Sequence, residues 1–162
     1  MMARFPSFLL RGANSLWIGL ALFLLLVAGG WIGFLASDDV TYSWGAYGWL
    51  EDFPYVGGHG TIRYLLTVPM ALSFLALGEN EVAMVLPSLL YVLGFLWLAW
   101  RAVRDASGTL SATGALLALV TSPLLVIQAG ISGVDVVEMF YLFASVFLVW
   151  RALEDGPSPV RL

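Results

Sequence analysis

Residues 15–36 read SLWIGLALFLLLVAGGWIGFLA, an uncharged run that leads directly into Ser37-Asp38-Asp39. At about 1.5 Å per residue, a helix over this run is long enough to cross a bilayer core of about 30 Å. The apolar region of a secretory signal is shorter, roughly 7 to 15 residues, so the run predicts an uncleaved membrane span. Asp38 and Asp39 then mark the point where the chain leaves the bilayer, and we interpret this pair of carboxylates as part of a site.

The composition of the whole chain is also that of a membrane protein. Its 162 residues are 60% hydrophobic and 11% charged, with a mean hydropathy of +0.91. These values lie outside the range of soluble domains of this size. The seven basic residues are all arginine and are scattered along the chain, which excludes a nucleic-acid-binding surface. Cysteine is absent, so disulfides and thiolate metal sites are excluded as well.

Four further apolar segments follow the first one. They are residues 64–78, 82–100, 109–130 and 136–153. The earliest of them is short and contains Pro69, and at this length an interfacial helix is as favourable as a span. Its assignment decides whether the chain crosses the membrane four times or five.

The arginines favour four spans. If segment 64–78 lies at the interface, both termini are cytoplasmic and only Arg63 among the arginines lies outside. This distribution follows the positive-inside rule, whereas either five-span arrangement places more arginines outside. We therefore predict an all-α integral membrane protein of the inner or plasma membrane of a prokaryote, with one domain over residues 1–162 and a first external loop at 38–80. The predicted spans are residues 15–36, 82–100, 109–130 and 136–153.

In this topology the candidate reactive groups all lie on the outer side of the membrane. They are Asp38, Asp39, His59, Arg63, Asp135 and Glu138. The last two are three residues apart at the start of the last span, so on a helix they share a face. Ionisable groups at the edge of the hydrocarbon are costly, and they are retained mostly where they line a cavity or pair with one another.

The order of these features resembles the amino-terminal membrane module of the GT-C glycosyltransferases, which include protein O-mannosyltransferases and lipid A aminoarabinose transferases. Asp38-Asp39-x-x-Tyr42 is similar to the paired acids and following tyrosine that open the first external loop of that family. His59 occupies the place of a histidine that introduces a juxtamembrane helix there, although the two prolines that follow it in the family are missing here. The segment that ends at Asp135 resembles the second external loop.

The resemblance covers roughly residues 15–153 and implies a specific fold and activity. The fold would be four transmembrane helices with amphipathic juxtamembrane helices in the first external loop. The activity would be hexosyl or pentosyl transfer from a polyprenyl phosphate at the extracytoplasmic face. Asp38 is then the candidate general base for the acceptor hydroxyl, and Arg63 is the candidate phosphate contact. Tyr42 and Glu138 are expected to support them.

The resemblance also implies a divalent metal near the donor phosphate. Its candidate ligands are Asp39, His59 and Asp135, since oxygen and imidazole groups suit such an ion. Simpler interpretations stay open for these residue types. The acid pair is also typical of an external flank or helix cap, and Glu138 is also a candidate ion-pair partner of Arg63. The aromatic residues of the external loop are typical of an interfacial belt first, and of a sugar-stacking wall second.

Members of the family are much longer and carry more spans, so we expect a module that works in the bilayer with other transmembrane chains. The alternative is a non-catalytic structural subunit of a larger membrane complex. For that role, Gly29, Gly30 and Gly33 offer a stripe for close helix contact. A channel or transporter subunit is disfavoured, because the interiors of the predicted spans contain no charge, with Glu138 and Arg151 near the two ends of the last span.

Overall fold

A computed structural model of the chain describes residues 12–35 and 37–155, and this part of the chain contains helices and no strand. The all-α prediction is confirmed for these residues, while Ala36 and both terminal segments lie outside them. The helices are α1 (Gly12–Gly29), α2 (Asp38–Glu51), α3 (Tyr64–Leu77), α4 (Glu81–Val120), α5 (Pro123–Ala129) and α6 (Val134–Asp155).

Two of these helices have the length and composition needed to cross a membrane. Within the described ranges they are Glu81–Val120 and Val134–Glu154, whereas α1 and α3 are shorter apolar helices. The helices therefore support membrane association, although α1 is shorter than the predicted first span. The predicted external loop, residues 38–80, contains the two short helices α2 and α3.

α1 ends before its apolar run does. It stops at Gly29, and residues 30–35 continue without helical structure. Glycine is a weak helix former, and Gly33 has a φ of 71°, which places it in the left-handed region and interrupts any helix. The Gly33 N–H donates to the Gly130 carbonyl over 3.1 Å, which ties this segment to the turn after α5.

α4 consists of two helical arms that meet at Gly108, where φ is 82° and ψ is 173°. The first arm starts beside residues 30–35, because a Cβ added at Gly33 would lie 2.7 Å from Glu81 Oε2. After the second arm, the chain returns to the same segment at Gly130. The two arms therefore form a hairpin with Gly108 at its far end, between the predicted spans 82–100 and 109–130.

The hairpin is the centre of the helix bundle. α1 packs on its second arm, where Gly19 lies directly against the Leu116 side chain. α6 packs on its first arm, where Gly94 lies against the ring of Phe140. Small residues at both crossings let the helices approach closely, as is typical of membrane helices.

Charged residues lie at the two opposite ends of this bundle. Asp105 accepts charge-assisted contacts from Arg101 at 2.8 Å, Arg104 at 3.1 Å and Arg151 at 3.7 Å, close to the Gly108 turn. At the other end, where α6 begins, the Gly133 N–H donates to Ser88 Oγ over 3.2 Å. The predicted site residues lie at this second end.

Candidate functional site

A cavity of 320 Å³ at the end of the bundle contains most of the predicted site residues. Its walls come from the first turn of α2, from the residue before α3 and from the segment between α5 and α6. Its polar lining residues are Ser37, Asp38, Asp39, Tyr42, Arg63, Gln128, Ser132 and Asp135. We refer to this space as the acidic cavity, because three carboxyl groups and one guanidinium line it.

Asp39 is the most buried carboxyl group of the acidic cavity, with 3% of the residue exposed. It lies in the first turn of α2, and its Oδ2 accepts the Leu35 N–H over 2.8 Å. Burial raises the pKa of Asp39, and the neighbouring charge of Asp38 raises it further, against the opposing effect of the Leu35 hydrogen bond. The fold therefore holds this group at a cost, which is characteristic of functional sites.

We expect Asp39→Asn to make the folded protein more stable at neutral pH. The pKa of this carboxyl group is higher in the folded state than its unfolded-state value of about 3.8. Its contribution to stability is therefore fully present when the pH is below the unfolded-state pKa, and it is lost as the pH rises through the folded-state pKa. The uncharged amide avoids that loss and keeps an oxygen for the Leu35 N–H. Thermal unfolding in detergent should show the gain near neutral pH and its disappearance near pH 4, whereas Asp52→Asn at an exposed position should show neither.

Asp38, Tyr42 and Arg63 form a hydrogen-bonded chain along one wall of the cavity. The Tyr42 hydroxyl donates to Asp38 Oδ2 over 3.3 Å and accepts from Arg63 Nη1. Burial raises the pKa of Tyr42, against the opposing charge of Arg63, so the hydroxyl keeps the proton that it donates. The guanidinium carbon also lies 5.4 Å from the centre of the Tyr42 ring. Tyr42 thus orients both the candidate base and the candidate phosphate contact.

Arg63 has a neutral partner rather than an anionic one. Among the described residues, the ion pairs within 4.0 Å all lie at the opposite end of the bundle, and Arg63 forms none. The ion pair between Arg63 and Glu138, one of the simpler interpretations of the sequence, is therefore not formed. A guanidinium held by a phenol keeps its charge available to an anionic ligand.

Sequence reasoning missed Ser132, which lines the acidic cavity. Ser132 is only 4% exposed, and its Oγ has no hydrogen-bond partner among the described residues. A buried hydroxyl without a partner costs about 1–3 kcal/mol, so this position favours a ligand or water that completes it. Gln128 was missed as well, since neither residue belongs to a recognisable pattern.

The structure places two of the predicted residues outside the acidic cavity. His59 is exposed in the loop before α3, and Glu138 is exposed on α6, one turn beyond Asp135. Neither lines the cavity. Within residues 12–35 and 37–155, no three His, Cys, Asp or Glu side chains are placed to hold one metal ion. Asp39 and Asp135 line the acidic cavity without His59, so the three predicted ligands do not meet there, and a divalent metal stays a prediction.

An apolar groove of 380 Å³ adjoins the acidic cavity. It runs between the start of α3 and the first turns of α6, and its lining residues are Ile62, Arg63, Tyr64, Leu65, Leu66, Val134, Val137, Glu138 and Tyr141. Arg63 and Val134 line both spaces. The guanidinium therefore lies at the boundary between an apolar groove and a cavity rich in carboxyl groups.

Over residues 12–35 and 37–155, the fold and the site together define a bundle of helices, several of them apolar, with an acidic cavity at one end. Comparison with protein-family models, with curated proteins and with solved structures gives no match.

Proposed function

We propose that this chain is a GT-C-like membrane glycosyltransferase module that binds a polyprenyl-phosphate sugar donor at the extracytoplasmic face and works with further transmembrane chains. The position of Arg63 carries the proposal. A phosphate bound by this guanidinium would have the apolar groove on one side for its prenyl chain. On the other side, the acidic cavity would receive the sugar. Its volume lies near the lower end of the range of about 300–1,000 Å³ for small-molecule pockets, which suits a single sugar unit.

The proposed topology has four membrane crossings with both termini in the cytoplasm. The first crossing is α1 with its extended continuation, the next two are the arms of the α4 hairpin with α5, and the fourth is α6. This arrangement puts the arginines around Asp105 on the cytoplasmic side, where the positive-inside rule favours them. It puts the acidic cavity on the outer side.

The reaction that we propose is a direct displacement at the anomeric carbon. Asp38 takes the proton of the acceptor hydroxyl as its oxygen forms the new glycosidic bond. The bond between the anomeric carbon and the phosphate oxygen breaks, and the departing phosphate keeps that electron pair and is stabilised by Arg63. Asp39, Asp135 and Ser132 provide hydrogen-bond acceptors for the remaining hydroxyls of the sugar.

Arg63→Gln should weaken binding of polyprenyl phosphate by about 10- to 100-fold, because it removes a charge-assisted hydrogen bond worth about 1.5–3 kcal/mol. The measurement is titration of the nanodisc-embedded chain with polyprenyl phosphate, read by native mass spectrometry. Arg63→Lys should bind with intermediate affinity, since lysine keeps the charge but not the planar fork. Arg104→Gln, at the opposite end of the bundle, is the matched control. Equal affinities for all four proteins would refute the role of Arg63.

Single cysteines should report the two sides of the membrane in an all-or-none manner, because the chain itself contains no cysteine. Val56→Cys, at a position that is 84% exposed in the external loop, should react with a membrane-impermeant maleimide in intact cells. Ser107→Cys, at an exposed position next to the Gly108 turn, should react only after permeabilisation. Labelling of Ser107→Cys in intact cells would contradict the four-span topology.

The alternative function is that of a structural subunit in a larger membrane complex. The exposed surface of α6 favours this alternative. Only 11% of the most apolar 18-residue stretch of α6 is buried, compared with 44% of the corresponding stretch of α4. Such an open apolar face suits lipid or a helix of another chain. A structural subunit would keep its assembly partners after any substitution in the acidic cavity. Those substitutions would then leave the rate of sugar transfer in native membranes unchanged.

A further inference from the structure

A second groove lies on the other side of α2, away from the acidic cavity. It consists of two adjoining spaces of 350 Å³ and 560 Å³, which share Trp44, Tyr47 and Glu79 as lining residues. α2 thus separates two sites. Its residues Asp38, Asp39 and Tyr42 line the acidic cavity. The α2 residues that line the second groove are Val40, Ser43, Trp44, Tyr47, Gly48 and Glu51.

The smaller space is mainly apolar and lies where the chain would leave the bilayer. Three of its apolar lining residues are Phe34, Phe74 and Met84. They come from the segment after α1, from the end of α3 and from the first turn of α4. Tyr47 stacks on Phe74 with ring centres 5.4 Å apart, so this ring contact joins α2 to α3 along the wall of the groove. Ser43, Glu79, Asn80 and Glu81 complete the lining, and the apolar part of this half offers a surface for an acyl chain.

The larger space combines aromatic rings with carboxyl groups. Its lining residues are Trp44, Tyr47, Gly48, Glu51, Asp52, Tyr55 and Glu79. Trp44 is 68% exposed, and the Tyr47 hydroxyl donates to Glu79 Oε2 over 3.2 Å. No arginine lines either half, and none lies within 4.0 Å of these carboxylates among the described residues. Its charge is therefore complementary to a cation.

We infer that this groove binds a membrane lipid whose headgroup ends in an ammonium group. The acyl chain occupies the apolar half, and the ammonium lies between Trp44, Tyr55 and the carboxylates of Glu51, Asp52 and Glu79. Aromatic faces and carboxylates together are the environment that proteins use for ammonium groups. This ligand differs from the anionic donor proposed for the acidic cavity, where Arg63 provides the opposite charge. The inference therefore stands apart from the proposed transferase function.

The test uses nanodiscs that contain equal amounts of phosphatidylcholine and phosphatidylglycerol with identical acyl chains. Native mass spectrometry of the released chain counts the lipids of each kind that stay bound. The ratio of phosphatidylcholine to phosphatidylglycerol should fall by about fivefold in the variant E51Q/D52N/E79Q relative to the wild type. Trp44→Ala removes an exposed ring that the fold does not need, and it should lower phosphatidylcholine retention by a similar factor.

Two controls give the result its meaning. Glu154→Gln removes a carboxylate at the opposite end of the bundle and should leave the ratio unchanged. Arg63→Gln weakens the proposed phosphate site and with it the binding of anionic lipid, so it should raise the ratio rather than lower it, and failure of the donor site and failure of this groove can be told apart. An unchanged ratio in both E51Q/D52N/E79Q and Trp44→Ala, or an equal fall in Glu154→Gln, would overturn the inference and leave the aromatic residues as a non-selective interfacial belt.

Discussion

Asp38→Asn should lower the rate of sugar transfer by at least about 100-fold, which is the usual contribution of a positioned general base. The amide keeps the size of the side chain and can still accept the hydrogen bond from Tyr42. It cannot take a proton from the acceptor hydroxyl. The measurement is the release of polyprenyl phosphate from a polyprenyl-phosphate sugar in native membranes that contain the chain and its partner chains, followed by mass spectrometry.

The same variant should bind donor as well as the wild type does, because Asp38 acts after binding. A fall in kcat without a rise in KM would therefore separate a chemical role from a structural one. Glu154→Gln, a carboxylate change at the other end of the bundle, serves as the control and should retain full activity. If Asp38→Asn transferred sugar at the wild-type rate, Asp38 would not be the general base, and the acid pair would be an external flank or helix cap.

The gathering of Asp38, Asp39 and Asp135 could be predicted because membrane topology is a strong constraint. In the predicted four-span topology, a residue that follows the first span and one that opens the fourth lie on the same side of the bilayer, and the structure brings these three carboxyl groups to one cavity. The contacts of Tyr42 could not be predicted in the same way. They depend on the rotation of α2 about its own axis, which is set by its packing, with Ala46 on the same helix fully buried.

Three features could not be predicted from the sequence, each for its own physical reason. His59 lies between Gly58 and Gly60, and glycine-rich backbone has too many conformations for a side-chain position to be inferred from spacing. Ser132 is a small residue in a short turn, and its burial without a partner appears only once α5 and α6 are in place. The end of α1 could not be inferred from hydropathy, because hydropathy continues through residues 30–35 while the glycines there end the helix.

Gly108→Ala and Gly114→Ala should change the thermal stability in opposite directions, and this pair tests the hairpin on which the proposed topology depends. With φ 82° and ψ 173°, Gly108 occupies a region that is essentially restricted to glycine, so alanine there should cost about 1–3 kcal/mol. Gly114 lies in the helical second arm, where alanine should add about 0.5–1 kcal/mol. An added Cβ meets nothing within 4 Å at either position, so the difference reports backbone conformation alone.

A single straight helix over the 40 residues of α4 would be about 60 Å long, twice the thickness of a bilayer core. In such a helix alanine would be stabilising at both positions, so an increase in Tm for Gly108→Ala would show that the chain does not turn at Gly108 and would remove the four-span arrangement with it.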